Sequence, residues 1–179
     1  MTALIQQLLD FARPRTLQKG CLRVDAMFAR VCELLATIAK KAQVSLQRPE
    51  TSLQVDADDA QLQQVLTNLM INAIHASPAG TTVELAAREV EVTAPPHVGS
   101  TNTRWLAIDV RDRGTGMDAA TAERVFEPFF STKGIGEGTG LGLSVSWGII
   151  REHGGWIAVE SAPGEGSTFT VYLPRGVTA

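Results

Sequence analysis

A chain of 179 residues with 44% hydrophobic content is long enough to bury one substantial core, which excludes a disordered segment and leaves little room for two full domains. A net charge of −3 argues against a basic nucleic-acid surface, so no nucleic-acid partner is expected. Cys21 and Cys32 are too few for a disulfide framework or a cysteine metal site, and a reducing, cytoplasmic setting fits them. The longest apolar stretches, such as Leu34 to Ala39, fall far short of a membrane span, and no signal-peptide pattern follows Met1. No membrane contact by this segment is expected.

In chain order, Leu4, Ile5, Leu8 and Leu9 recur at helical spacing from Met1 to Phe11 until Pro14 stops the pattern. That helix opens without an N-cap, so it reads either as packing on a partner or as folding back on its own domain. Residues 1–19 are taken as a helix tail and linker, and 20–179 as the domain. Cys21 to Val24 reads as a strand, followed by a helix whose buried stripe is Val31, Leu34, Leu35 and Ile38, with Lys40 and Lys41 near its C-terminus. Gln43 to Gln47 and Ser52 to Val55 are weaker strands.

A better helix follows Asp56, where Leu62, Val65, Leu66, Leu69, Met70, Ala73 and Ile74 recur at intervals of three and four until Pro78. At about 100° per residue, Asn68, Asn72 and His75 fall together on one flank of it. Asn72 suits a hard cation or its water shell, and an exposed polar face is the plainer alternative. Strands are predicted at Thr82 to Val92 and Arg104 to Val110, joined by a turn-rich loop from Pro95 to Asn102 to which no chemistry is assigned.

Asp112 follows the second of these strands directly, so its carboxylate sits at a strand end, where it can accept an amino group. Ala119 to Phe126 reads as a short helix, and Phe126, Phe129 and Phe130 as core aromatics. Gly138, Gly140 and Gly142 lead into the apolar helical run of Leu141, Leu143, Val145, Ile149 and Ile150. Clustered glycines at a helix N-terminus expose backbone amides to an anion, phosphate being the natural one. A simple turn is the alternative. The spacing is not that of a P-loop, since no Gly-Lys-Ser/Thr follows. Trp156 to Val159 and Ser167 to Leu173 complete the strands, with Gly164 to Gly166 as the turn between them. His97 and His153 have no ligand-spaced carboxylate or cysteine and read as a loop and a helix-end residue. The sum is an α/β layer, with helices on one face of a mixed sheet.

Taken together, Asn68 to Asn72, Asp112-Arg-Gly-Thr-Gly116, Phe126 to Phe130, Gly138 to Gly142 and Gly164 to Phe169 resemble the catalytic ATP-binding domain of bacterial sensor histidine kinases. These belong to the wider superfamily that includes gyrase B, HSP90 and MutL. The resemblance implies the two-layer α/β sandwich of that superfamily, the Bergerat-type fold, with a flexible ATP lid from Ser131 to Gly138.

It also implies roles. Asp112 would accept the adenine amino group, with Gly114 and Gly116 close to the base and Ser167 where a threonine is usual. Asn72 would ligate Mg²⁺, Asn68 would border the same pocket, and His75 would be a weak phosphate contact. Lys133 would reach the terminal phosphates; Gly138, Thr139, Gly140, Leu141 and Gly142 would cradle the phosphate chain; Phe126, Phe129 and Phe130 would hinge the lid.

No histidine here is followed by an acidic residue in the manner of a phospho-acceptor, so the resemblance places the acceptor upstream, on a dimerisation domain of which residues 1–19 are the tail. The partners it implies are that domain, in a full-length homodimer, and the receiver domain of a response regulator. Asn68 stands where hydrolytic relatives carry a glutamate base, which favours ATP-dependent histidine phosphorylation over an ATPase clamp. A non-catalytic nucleotide-sensing module and an anti-sigma serine kinase are the remaining alternatives.

Overall fold

The structure, a computed structural model, describes residues 17–132 and 139–175. Its elements are β1 (Gly20–Arg23), α1 (Val24–Ala42), β2 (Ser45–Gln47), β3 (Gln54–Ala57), α2 (Asp59–Ala76), β4 (Thr82–Glu91), β5 (Arg104–Arg111), α3 (Ala119–Arg124), α4 (Gly142–Glu152), β6 (Trp156–Ala162) and β7 (Gly166–Pro174). Five strands form one sheet in the order β2-β4-β5-β7-β6, parallel between β2 and β4 and antiparallel elsewhere. β1 and β3 form a separate antiparallel pair, which the sequence did not announce.

The expected mixed sheet with helices on one face is present, and strand alternation explains it. On β5, Leu106, Ile108 and Val110 point into the main core; their partners on β7 are Leu173, Val171 and Phe169, which point the same way. α2 meets them with Leu62, Val65, Leu66, Leu69, Met70, Ala73 and Ile74, all buried. Each large side chain so buried contributes about 1.5–3 kcal/mol before chain entropy is charged against it. The opposite face carries Trp105, stacked edge-on against Trp156, which in turn lies flat on Tyr172. The indole N–H of Trp105 donates to the Val92 and Asn102 carbonyls, which pins the loop between β4 and β5.

Two expectations about burial fail. Leu34 and Ile38 of α1 are 57% and 39% exposed, because the helix meets the core through Val24, Met27, Phe28, Val31, Leu35 and Ala39. That stripe runs one position off the predicted one. Phe129 is 66% exposed, in a left-handed backbone conformation at φ 66°, while Phe126 and Phe130 pack against the core. The weaker strands shift as well. Gln43 is the left-handed cap of α1 rather than the first residue of β2, and the Thr51 hydroxyl accepts the Leu53 N–H in a local turn that delays β3 to Gln54.

The N-terminus of α2 is joined to the C-terminus of α4 by a buried histidine. The Asp58 carboxylate caps α2 by accepting the Gln61 N–H at 3.1 Å. Gln61 is positioned to return the favour to the Asp58 N–H, but that N–H donates to His153 Nε2 at 3.0 Å, and Gln61 Oε1 is left buried without a partner among the described residues. His153 Nδ1 lies 2.8 Å from the Ile149 carbonyl, so the ring is neutral with its proton on Nδ1. Burial holds its pKa below the ordinary imidazole value of 6.5, against the opposing pull of the Ile149 carbonyl, while Lys19 lowers it further and Asp58 and Glu152 raise it.

Below pH 6.5 the unfolded chain takes up a proton that the folded chain resists, so stability falls as pH drops from 6.5 toward the depressed folded value. Denaturant unfolding at pH 7.5 and 5.5 should show that loss in the parent. His153→Ala should remove about 1–3 kcal/mol at the higher pH and flatten the pH dependence. An equally steep dependence in the variant would rule out His153 as its source.

Candidate functional site

Asp112 emerges at the end of β5, one residue beyond its pairing with β7, and is 3% exposed. Its backbone N–H donates to the Ser167 carbonyl at 2.9 Å, which fixes the carboxylate against β7. Oδ1 accepts two backbone N–H groups, from Gly114 at 2.8 Å and from Ser167 at 3.2 Å. Oδ2 accepts none among the described residues and remains the open acceptor of a buried carboxylate. Burial raises the pKa above the ordinary carboxylate value, and the two N–H donors partly offset it.

The glycines around Asp112 are there for space. A Cβ on Gly114 would lie 2.4 Å from the Ala76 carbonyl oxygen, so the Asp112 loop is seated directly on the C-terminal end of α2. Gly116, at φ 64°, brings its Cα against the β6–β7 hairpin, where a Cβ would lie 1.9 Å from the Ala162 carbonyl oxygen. Asn72 and His75 lie on the last two turns of α2, beside that seat. Asn72 is half-buried, and its side-chain amide makes no hydrogen bond among the described residues; His75 is exposed.

One turn before Asn72, α2 meets the other half of the site. The Asn68 amide donates to the Gly142 carbonyl at 3.3 Å and to the Ser146 hydroxyl at 3.4 Å, and the Ser146 hydroxyl donates to the same carbonyl at 2.8 Å. Asn68 is therefore committed to holding α4. Gly140, at φ 65°, lies against Phe129, whose N–H donates to the Gly140 carbonyl at 3.0 Å. The Thr139 hydroxyl accepts the Leu141 N–H at 3.3 Å, Leu141 is buried, and Gly142 begins α4. A helix N-terminus thus faces the same flank of α2 that carries Asn72, while the Asp112 loop is seated at Ala76, eight residues and about 12 Å further along that helix from Asn68.

The expected residues divide accordingly. Asp112, Gly114, Gly116 and Ser167 form one end; Asn68, Thr139, Gly140, Leu141 and Gly142 form the other; Asn72 stands between them. Phe126 stacks edge-on against Phe169, and Phe130 lies under the Arg124 guanidinium, which ties the segment before the glycine run to the core. Lys133 and Gly138 lie outside the described residues, as do most of the proposed lid and the helix expected at residues 1–11. One polar residue of the site escaped sequence reading: Ser161, whose hydroxyl accepts the Met117 N–H at 2.8 Å and meets the Ser167 hydroxyl at 2.9 Å. A serine in mid-strand carries no pattern of its own; only the pairing of β6 with β7 reveals it.

A buried acceptor near one end of this flank of α2 and helix N-terminal amides near the other suit a molecule with an amino-bearing base and a phosphate chain. A family model described as histidine kinase-, DNA gyrase B-, and HSP90-like ATPase matches residues 57–177. The chain is 38% identical over 177 residues to the sensor kinase CckA of Brucella abortus (strain 2308), covering 97% of this chain and 19% of that protein. It is 36% identical over 172 residues to the signal transduction histidine-protein kinase AtoS of Escherichia coli (strain K12), covering 95% of this chain and 26% of that one. Among solved structures, full-length ShkA in complex with AMPPNP superposes with a TM-score of 0.77 at 25% identity, over 96% of this chain and 35% of that chain. The catalytic domain of the histidine kinase ThkA gives 0.71 at 25% identity, over 88% of this chain and 96% of that chain. The chain spans about a fifth to a quarter of the two curated relatives.

Proposed function

We infer the function from the premise that this chain belongs to the histidine kinase-, DNA gyrase B-, and HSP90-like ATPase family, as a histidine-kinase type of ATP-binding catalytic domain. The proposal is that it binds Mg²⁺-ATP and passes the γ-phosphoryl group to a histidine on a dimerisation helix outside this chain, for relay to a response-regulator aspartate. The observation that carries the nucleotide assignment is Asp112, a buried carboxylate with one oxygen saturated by two N–H groups and the other open. An adenine amino group is a donor of the right kind for that oxygen.

Asn72 fits the proposed metal. Mg²⁺ is typically held by one or two protein oxygens together with phosphate oxygens, and among the described residues no carboxylate, histidine and cysteine cluster offers a complete cage. The Asn72 amide oxygen is the hard donor between Asp112 and the N-terminus of α4, and the ion would neutralise charge on the phosphates. The N-terminus of α4 would add its amides to the same phosphates. In the transfer itself an imidazole nitrogen forms a bond to the γ-phosphorus while the bond to the β,γ-bridging oxygen breaks, and ADP departs with that electron pair.

Asn68 supports transfer over hydrolysis. An amide cannot take a proton from water, and this one already donates to Gly142 and Ser146.

The test is calorimetric titration with ADP and ATP, with and without Mg²⁺, with phosphate release followed in the same ATP samples. Metal-dependent binding with negligible release, and labelling of a supplied histidine-bearing dimerisation domain by γ-labelled ATP, are the expected results. Sustained release would favour an ATPase; binding without labelling would leave a nucleotide sensor. Asn72→Asp should shift the Mg²⁺ dependence of binding, and coincident titrations for variant and parent would remove Asn72 as a ligand.

A further inference from the structure

Gln18 and Lys19, the residues that precede β1, are fastened to the seam between the N-terminus of α2 and the C-terminus of α4. The Gln18 N–H donates to Asp58 Oδ2 at 3.1 Å, and Lys19 Nζ donates to the His153 carbonyl at 3.2 Å. The two acceptor residues are themselves joined, since the Asp58 N–H donates to His153 Nε2 at 3.0 Å. That bond exists only while Nε2 is bare. His153 Nδ1 faces the Ile149 carbonyl at 2.8 Å and carries the one proton of the neutral ring, so a second proton would enter at Nε2, directly against the Asp58 N–H. Two donors would then face each other on a residue that is 1% exposed.

The surroundings hold an alternative acceptor for each donor. Gln61 Oε1 is buried without a partner among the described residues, and Gln61 is the third residue of α2, where a side-chain carbonyl accepts the N–H of the capping residue in a capping box. The Asp58 N–H can pass to it, which leaves α2 capped. The proton on Nε2 has the Asp58 carboxylate, whose Oδ2 it would draw away from the Gln18 N–H. Burial opposes a charge on the ring above all; of the charged groups that bear on it, Lys19 also opposes it, while Asp58 and Glu152 favour it. A cationic ring therefore weakens the Gln18 bond through Asp58 and the Lys19 bond through like charge.

We propose that His153, Asp58 and Gln61 form a pH-operated latch: with His153 neutral, Gln18 and Lys19 are held on the seam between α2 and α4, and protonation of His153 passes the Asp58 N–H to Gln61 and releases them. The latched state excludes the proton and the released state accepts it. The latch is therefore closed above the ordinary imidazole value of 6.5 and opens as pH falls below it, with the released-to-latched ratio rising by up to about tenfold per pH unit for the one proton taken up. Because α2 keeps a capped N-terminus in both states, opening is local and the core stays folded. α4 runs from this seam to Gly142, whose carbonyl holds Asn68, so the latch acts on one end of the helix whose other end lines the candidate site.

The experiment is an NMR titration of the full chain from about pH 8 to about pH 5, following the His153 ring and the Gln18, Lys19 and Asp58 amides. In the parent these amides should move with the midpoint of the His153 ring, while the Leu66 and Leu69 amides in the middle of α2 keep their folded positions. His153→Gln keeps a carbonyl to accept the Asp58 N–H and cannot take up the proton, so its Gln18 and Lys19 amides should hold the latched positions throughout. Gln61→Leu removes the reserve acceptor and should lower the His153 midpoint by about one pH unit, tenfold in proton affinity, the scale of one buried N–H left without a partner. Gln61→Met takes its place if the leucine variant does not fold. Gln18 and Lys19 amides that stay still while His153 titrates, or that move with the parental midpoint in His153→Gln, would overturn the latch. So would a ring that stays neutral throughout, a parental His153 midpoint in the Gln61 variant, or loss of the folded Leu66 and Leu69 signals at the same midpoint, which would make the event global unfolding.

Discussion

Asp112→Asn should weaken ADP by about 1–3 kcal/mol while leaving the apo protein folded. The reason lies in which oxygen is engaged. The Gly114 and Ser167 N–H groups require an acceptor at the Oδ1 position, so the asparagine must place its carbonyl there and its NH₂ where Oδ2 was. The open end of the pocket then turns from acceptor to donor and faces the adenine amino group with like polarity. IDP, whose base carries a carbonyl at that position, should gain relative to ADP in the variant.

Stability should move the other way. Burial raises the Asp112 pKa, so the folded state favours the protonated carboxyl; that preference is present below the ordinary value of 3.8 and is lost as pH rises through the raised one. At neutral pH the parent therefore carries the strain of a buried charge that the variant lacks. The apo variant should melt at or above the parent at pH 7, with the difference vanishing in acid. Unchanged affinity for both nucleotides would remove Asp112 from base recognition.

Much of this arrangement could be read in the sequence because its elements obey local rules. The 3.6-residue spacing of α2 and the alternation of β5 each follow from one buried face, and Asp112 at a strand end needs only the strand to be recognised. The glycine run before α4 was legible for a similar reason: a helix N-terminus with positive-φ glycine ahead of it has few other uses. Failures came where a long-range contact overrode the pattern. Leu34 and Ile38 belong to the apolar run of α1, yet α2 packs against its neighbouring stripe. Phe129 reads in sequence as a core aromatic, but its N–H bond to the Gly140 carbonyl holds the chain in a left-handed turn that points the ring outward. Asn68 and Asn72, alike in sequence, differ because Gly142 and Ser146 arrive from 74 and 78 residues away to claim only the first. Ser161 and His153 are of the same kind: each is unremarkable alone and is defined by a partner on another element.

Gly116→Ala should be the most damaging single substitution in the site. The added Cβ would lie 1.9 Å from the Ala162 carbonyl oxygen, 2.8 Å from its carbon and 3.1 Å from the Gly166 carbonyl oxygen, all of them backbone atoms of the β6–β7 hairpin. No rotamer change relieves such contacts. The left-handed φ of 64° adds roughly 1–2 kcal/mol for any residue with a Cβ.

Relief requires the loop to lift off the hairpin, which breaks the Met117 N–H bond to Ser161 and the Gly164 N–H bond to the Thr115 carbonyl and carries Asp112 away from Ser167. A loss of about 2–4 kcal/mol in unfolding free energy is expected, together with loss of nucleotide binding at temperatures where the chain is still folded. Gly148→Ala is the matched control. Beyond the backbone of α4 itself its Cβ would meet nothing within 4 Å, so helix propensity alone should act there and stabilise the protein by about 0.5–1 kcal/mol. Denaturant unfolding and ADP titration of both variants check the pair. A Gly116→Ala protein as stable as Gly148→Ala, with parental affinity, would show that the loop and hairpin are not seated together as described.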